Sequence, residues 1–404
     1  MRLLLGAFGD PGHAFPMMAL GQRLAARGHD VTLQTWTRWR EQVEAAGMTF
    51  APAPEYHVFP TRQRPLRPYE AAVKGARDTR PLVTELRPAA LVADILTLAP
   101  ALAGEVEGVP TATLVPHLFP AGARGHPPYA LGARLPRTPL GRWLWEALEH
   151  PVGAALRQGR DELNETRRRL GLPPLEHVHN GISRQLCLVG TFPQLEYPRE
   201  WPPWTRVVGP LMWEPPAQDV ELPPGDHPLV LVAPSTSQDP DHRLLRAALE
   251  GLADAPVRVL ATWNRRPLGG EVRVPPNTRL VEWVSYSRTM PRCDLVVCHA
   301  GHGTVARALS CGVPVVAVPA SGDMAENAAR VDWARVGVRL PWPLCRPRAL
   351  RLAVERALGD GVMAGAARAI QAWAEARDGA ERAADEAEAF AVKPETSLPS
   401  AESA

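Results

Sequence analysis

The sequence predicts an α/β protein made of two doubly wound, parallel-sheet domains in tandem. Three observations predict it. Short apolar runs alternate with segments of helical period along most of the chain, which is the pattern of βαβ units. At 404 residues the chain is too long for one ordinary core and suits two domains of about 200 residues each. The stretch VGPLMWEPPAQDVELPPGDHP at 208–228 interrupts the alternation with prolines and spaced acids and reads as an extended linker.

The first domain, 1–207, opens with an apolar run at 2–7. That run is too short for a secretory h-region and lacks a small-residue cleavage site, so it reads as a buried strand. A helix follows over 14–26, with apolar residues at helical spacing, and strands come at 31–35, 91–93 and 111–115. Residues 116–169 are rich in proline, tryptophan and arginine and are expected to supply helices and loops over a cleft. The alternation restarts with strands at 229–233, 257–261, 279–281, 295–298 and 313–318, giving a second domain over 229–363. An alanine-rich segment at 364–392 reads as one or two helices packing back on the first domain, and 393–404 as a disordered tail. The acid-rich stretch 378–388 and the arginines at 167–169 read as solvated.

Composition excludes several classes. With 45 basic against 43 acidic side chains, a formal charge of +2 and no strongly basic block, no nucleic-acid footprint is expected. No run approaches the ~18 apolar residues of a membrane span. The five cysteines, at 187, 293, 298, 311 and 345, form neither CxxC pairs nor a disulfide ladder, which suits buried free thiols in a reducing cytoplasm. Cys293, Cys298 and His299 have no matching second pair, so no zinc site is expected. A monomer or a homodimer is expected.

The densest chemical signal is HAGHGTVARALSCGVPVVAVPASGDMAEN at 299–327. A glycine-rich turn between a strand and a helix start makes an anion pocket, because first-turn N–H groups point outward and the helix dipole favours negative charge. Gly301 and Gly303 let the backbone come close, and His299 and Thr304 add side-chain donors. The next strand ends in a polar loop carrying Asp323, Glu326 and Asn327, and a phosphate cradle beside such a loop is what a nucleotide-sugar site needs. His302 reads as a turn or surface residue.

In the first domain, Gly6, Gly9 and Gly12 are spaced GxxGxxG rather than GxGxxG, and the second strand ends Leu33, Gln34, Thr35, Trp36 without an acid for a ribose. Dinucleotide binding is disfavoured on both counts. His13 stands at the start of a helix, where the dipole opposes a positive charge and favours a neutral imidazole suited to general base work. Asp94 closes the strand LVAD and lies within reach to orient that ring. Simple helix capping accounts for the same residues, and both readings stand.

The segments GDPGHAFPMMALGQRLAARGHDVTL, LVAD with the following GEVEGVP, VGPL, HAGHGT, GVPVVAVP and DMAEN, with Trp283 sixteen positions before His299, span nearly the whole chain. In them the chain resembles the GT-B glycosyltransferases of family 1, the macrolide and UDP-glucuronosyl type. The resemblance implies two Rossmann-like domains facing a cleft, with the acceptor on the first and a UDP- or dTDP-sugar on the second. It implies an inverting, metal-independent transfer with no cofactor beyond the donor. His13 would be the base and Asp94 its partner. Trp283 with Val284 would hold the nucleobase, and His299, Gly301, Gly303, Thr304, Ser235 and Thr236 the diphosphate. Asp323, followed by Met324, would hold the sugar.

Three positions depart from that pattern. Arg307 stands where a glutamate often accepts from the ribose hydroxyls, and arginine is donor-only. Met324 replaces a glutamine, and the usual WVPQ run reads Trp283, Val284, Ser285, Tyr286. UDP and dTDP donors are therefore not separated. The acceptor pocket is expected from 56–69 and 117–145, whose aromatic, aliphatic and proline content suits an apolar phenol, polyketide or steroid. A nucleotide-sugar epimerase of the same build and a non-catalytic partner protein are the other classes the sequence allows.

Overall fold

Leu3, Leu4 and Leu5 are consecutive and all buried, which a strand achieves only when both faces of its sheet are covered by helices. The same holds for Leu229 through Ala233 and Leu295 through Cys298. A computed structural model describes residues 1–54, 70–178, 181–217, 219–235, 238–320 and 322–392, and shows two such sheets.

The first is built from β1 (Arg2–Gly6), α1 (Pro11–Ala26), β2 (Asp30–Thr35), α2 (Arg40–Ala45), β3 (Thr49–Pro52) and α3 (Glu70–Leu86). It continues through β4 (Ala90–Asp94), α4 (Leu98–Val106), β5 (Thr111–Val115), α5 (Pro139–Arg169), β6 (Cys187–Val189) and β7 (Thr205–Val207). The second is built from β8 (Leu229–Ala233), α6 (Arg243–Gly251), β9 (Arg258–Thr262), β10 (Thr278–Val281), α7 (Tyr286–Thr289), β11 (Leu295–Cys298) and α8 (His302–Ser310). Then come β12 (Val315–Ala317), α9 (Met324–Trp333), β13 (Gly337–Arg339), α10 (Pro347–Gly359), α11 (Gly361–Glu375) and α12 (Gly379–Val392).

The strand orders are β3-β2-β1-β4-β5-β6-β7 and β10-β9-β8-β11-β12-β13, parallel throughout. Both orders reverse at one place, between β1 and β4 and between β8 and β11. The crevice at the carboxyl ends of the strands flanking such a reversal is where doubly wound sheets bind ligands. His13 comes after β1 and Asp94 is the last residue of β4, while Ser235 and the 299–303 turn follow β8 and β11.

Several elements differ from the sequence reading. Strands β3, β6, β7 and β13 were not expected. Each has only three or four residues, too few for a period to show, and three of them are sheet edges. The strand expected at 313–318 is shorter, because the N–H of Val313 bonds Ala308 O at the end of α8 and Pro314 has no N–H to give. α1 begins three residues early because Pro11 is tolerated in a helix's first turn. The proline-rich 116–169 region resolves into a loop and a 31-residue helix, α5.

The C-terminal segment divides. Met363, Ala367 and Ile370 of α11 pack in the second domain's cores while its Trp373 meets Phe192 of the first edge to face at 5.7 Å. α12 returns to the first domain, where Ala380, Ala383, Ala384 and Ala387 join its core. Two chain crossings meet where Gly209 lies against Gly379, and a side chain on Gly379 would overlap the Gly209 and Pro210 carbonyls. The acids of 378–388 are paired rather than merely solvated: Arg27 meets Glu381 at 2.5 Å, Asp385 at 2.9 Å and Glu388 at 2.8 Å. Arg167 is likewise buried, on Pro173 O and Glu105. The expected tail at 393–404 lies outside the described residues.

Candidate active site

The end of β4 buries Asp94 almost completely, at 2% exposure, and α1 aims His13 at it: Nδ1 lies 2.8 Å from Asp94 Oδ1. The other carboxylate oxygen accepts the Phe8 N–H at 3.3 Å. A carboxylate accepts only, so Nδ1 of His13 carries the proton and Nε2 the lone pair. Burial works against an imidazolium here, but the charge and hydrogen bond of Asp94 outweigh it, with help from Asp323 and Asp10, and hold His13 above the ordinary histidine range. This corrects the expectation of a base kept neutral by the helix start, since a full charge at bonding distance exceeds a partial one spread over a turn.

His117, in the loop after β5, was singled out only as part of a broad segment. Its ring meets His13 edge to face at 6.0 Å, and its Nδ1 donates to Leu118 O at 2.8 Å. Burial, then the charge of His13, push it below the usual range, so one of the two imidazoles stays neutral when the other charges. Tyr129 stacks on His117, 6.1 Å between centroids. Neither residue lies in a glycine-marked turn, which is why sequence spacing gave no sharper signal.

Across the cleft, α8 begins at the glycine-rich turn with Gly301 as N-cap and no side chain capping it. Ala300 holds the left-handed conformation, φ 64°, and Asn327 Nδ2 donates to its carbonyl at 2.9 Å. His299 Nδ1 sits 3.4 Å from Ala233 O, and a Cβ on Gly301 would collide with His299 Nε2. Gly301 is thus small for the ring as well as for any ligand, while the space at Gly303 is open. Burial holds His299 below the ordinary range, which favours a neutral ring in the free protein. His302 is buried, contrary to the surface reading, with Nε2 3.2 Å from Gly190 O of the first domain.

Ser235 is buried after β8, accepting from Gln238 N at 2.9 Å, whereas Thr236 lies outside the described residues. Trp283 is half-buried, stacked on Tyr286 at 6.3 Å with the Arg265 guanidinium 5.5 Å above its ring. Val284 packs its side chain into the core, so only its backbone can meet a ligand. Asp323 stands at the N-cap position of α9 without a capping bond from its side chain, and Met324 packs against the second core. Glu326 and Asn327 belong to α9's first turns rather than a loop. The charge of Asp323 reaches His13 and His117 of the first domain and His299 of its own, each time as a smaller influence than burial and the nearest partner. A cleft of about 870 Å³ runs between the domains, from Asp10, Pro11 and Trp39 to Arg265, Glu282 and Trp283.

Comparison with known proteins agrees. Residues 246–388 match the family described as erythromycin biosynthesis protein CIII-like, C-terminal domain. The chain is 30% identical over 390 residues to 4'-demethylrebeccamycin synthase of Lentzea aerocolonigenes, covering 89% of this chain and 92% of that one. It is 31% identical over 421 residues to O-mycaminosyltylonolide 6-deoxyallosyltransferase of Streptomyces fradiae, covering 95% and 96%. The chain belongs to the natural-product glycosyltransferases. Among solved structures, the calicheamicin glycosyltransferase CalG4 superposes with a TM-score of 0.74 at 24% identity, covering 98% of this chain and all of that one. The glycosyltransferase VinC, solved in complex with dTDP, gives 0.70 at 21% identity, covering 97% and 99%. The fold is GT-B.

This glycosyltransferase is therefore an enzyme, and the epimerase and non-catalytic readings fall away. All five of its cysteines are free, and burial pushes the thiols of Cys293 and Cys298 up to about 12. Among the described residues no helix is long and apolar enough to cross a membrane, and no three His, Cys, Asp or Glu side chains cluster as a metal site. The acceptor segment 56–69 lies outside the described residues.

Proposed function

We propose that this glycosyltransferase moves a sugar from a dTDP- or UDP-sugar to a hydroxyl of an apolar small molecule, inverting the anomeric centre and using no metal. The observation that carries this reading is His13, bonded to a buried carboxylate at one switch point and facing, across the cleft, the acidic Asp323 and the α8 start of the other. The acceptor hydroxyl gives its proton to Nε2 of His13 as its oxygen bonds the anomeric carbon. The carbon–oxygen bond to the diphosphate breaks, and its electron pair leaves on the phosphate oxygen. Attack from the first-domain side with departure toward the second places the two oxygens on opposite faces, which inverts the carbon. The α8 dipole, its free N–H groups and His299 meet the leaving charge.

Apolar acceptors are supported by the rings around His13: Phe8 at 6.0 Å, Trp36 beyond it, and the His117–Tyr129 stack. The relatives named for rebeccamycin and tylonolide transfer point the same way. The test is turnover of dTDP-glucose and UDP-glucose with phenols and aliphatic alcohols, read by mass spectrometry, with and without EDTA. His13→Ala should cost an aliphatic alcohol at least ~100-fold and a low-pKa phenol less, because the phenol ionises with little help. Equal turnover of variant and parent on the alcohol removes His13 from the mechanism, and loss of activity with EDTA removes the metal-free reading.

A further inference from the structure

Asp323, Glu326, Asn327 and Arg330 fall at helical spacing along α9, yet the last three are buried, at 1%, 2% and 6% exposure. A buried arginine between two carboxylates is no stability device in general, because desolvation cancels most of the attraction. Here the charges connect parts that must act together. The Arg330 guanidinium bonds Glu326 of its own helix, Nε at 2.9 Å and Nη2 at 2.8 Å, and crosses into the first domain. There Nη1 lies 3.3 Å from Leu195 O and 3.6 Å from Glu196 Oε2, with the guanidinium 3.3 Å from the Tyr197 ring centre. Glu196 in turn accepts the Phe119 N–H at 2.7 Å, two residues after His117. At its other end, α9 starts just after Asp323 and, through Asn327, holds the Ala300 carbonyl of the phosphate turn.

We infer that Arg330 is a positioning residue for sugar transfer: by pinning α9 to Glu196 and Leu195 of the first domain, it holds Asp323 and the phosphate turn at working distance from His13. The inference rests on the proposed roles of His13 and Asp323. Arg330 touches neither substrate, and its effect travels through one rigid helix whose two ends face different domains. Glu326 Oε2 has no hydrogen-bond partner, so the cluster is not optimised for stability, as expected if geometry is what it supplies.

The test compares the parent, Arg330→Lys, the triple variant Arg330→Met/Glu196→Gln/Glu326→Gln, and Asp323→Asn. The triple variant removes the three charges of the cluster together, so none of the three is left facing a lost partner. Arg199, which also feels Glu196, keeps its bond to Ala121 O, and the melting temperature reports whether the fold survives. Melting temperature, dTDP and UDP affinity, transfer rate and donor hydrolysis are measured on each. In hydrolysis a water oxygen replaces the acceptor oxygen at the anomeric carbon, and it needs little alignment. The expected result for the triple variant is folded protein, unchanged nucleotide affinity, transfer kcat down by about 10- to 100-fold, and a raised ratio of hydrolysis to transfer. Arg330→Lys, which keeps the charge but loses the fork, should fall between. An unchanged ratio, or nucleotide affinity lost in step with kcat, overturns the inference. Asp323→Asn with full transfer activity overturns the reading of Asp323 itself, a result distinguishable from failure of Arg330 alone.

Discussion

Replacing Asp94 by asparagine is the sharpest test of the first-domain site, because the structure leaves the amide no harmless orientation. Asp94 accepts from His13 Nδ1 with one oxygen and from the Phe8 N–H with the other, and its side chain is fully buried. If the amide NH2 faces His13, it donates to Nδ1 and moves the ring proton to Nε2, which abolishes the base. If it faces Phe8, two donors oppose each other, and an unsatisfied buried N–H costs about 1–3 kcal/mol. In either case the imidazolium formed during transfer loses a charged hydrogen bond of about 1.5–3 kcal/mol, which is roughly ten- to a hundredfold in kcat. The pH profile gives a second readout. His13 is held above its ordinary value by Asp94, so the parent gains activity as pH rises through that raised pKa. Without Asp94 the pKa falls and the acid limb should move to lower pH, with a lower plateau. Transfer kcat and kcat/KM would be measured from pH 5 to 9 on an alcohol acceptor, with dTDP affinity as control. An unmoved acid limb with parental kcat would refute the pairing as a catalytic device.

Three further outcomes follow from the second domain. Because burial keeps His299 neutral in the free enzyme, binding of dTDP or UDP should take up a proton and weaken as pH rises above the ordinary histidine range. Calorimetry in buffers of different ionisation heat should show that uptake and its loss in His299→Ala; no uptake by the parent excludes His299 from the diphosphate. Gly301→Val should weaken nucleotide binding about tenfold or more by displacing the His299 ring, without altering acceptor choice. Arg307, half-buried in the last turn of α8, removes an acceptor for the ribose, so UDP- and dTDP-glucose should differ by far less than ~10⁴-fold, and Arg307→Glu should favour UDP. A strong parental preference for UDP that Arg307→Glu leaves untouched would show that another group reads the ribose.

Much of the fold was legible because its signals are local. The inner strands β1, β4, β8 and β11 are buried on both faces and nearly all apolar in a row, and such runs stand out in any reading, while β2 and β5 carry buried threonines between their apolar residues. The 299–303 turn was equally legible, since glycine spacing between a strand and a helix reflects backbone geometry. His13 could be picked out because it stands at a helix start just past a glycine-marked turn, and Asp94 because it closes the apolar run LVAD. The edges β3, β7 and β13 were not legible, because a short strand paired on one side needs no distinctive composition.

By itself, then, the sequence determined two parallel-sheet domains and the candidate groups on each, all of which depend on residues close together in the chain; the strand orders, and so the switch points, came from the fold. Only the tertiary structure decided what those groups experience. The charge state favoured at His13 depends on Asp94, 81 positions away, and on Asp323 of the other domain, against a helix dipole that was the only influence visible locally. The neutrality of His299, the nearness of His117 and the return of α12 to the first domain's core have the same origin. Arg330 is the plainest case, for nothing in DMAENAARVDW distinguishes it from a solvated helix arginine until Glu196 and Tyr197 are folded against it. Desolvation and Coulomb attraction depend on distance through space, and that distance exists only once both domains are packed.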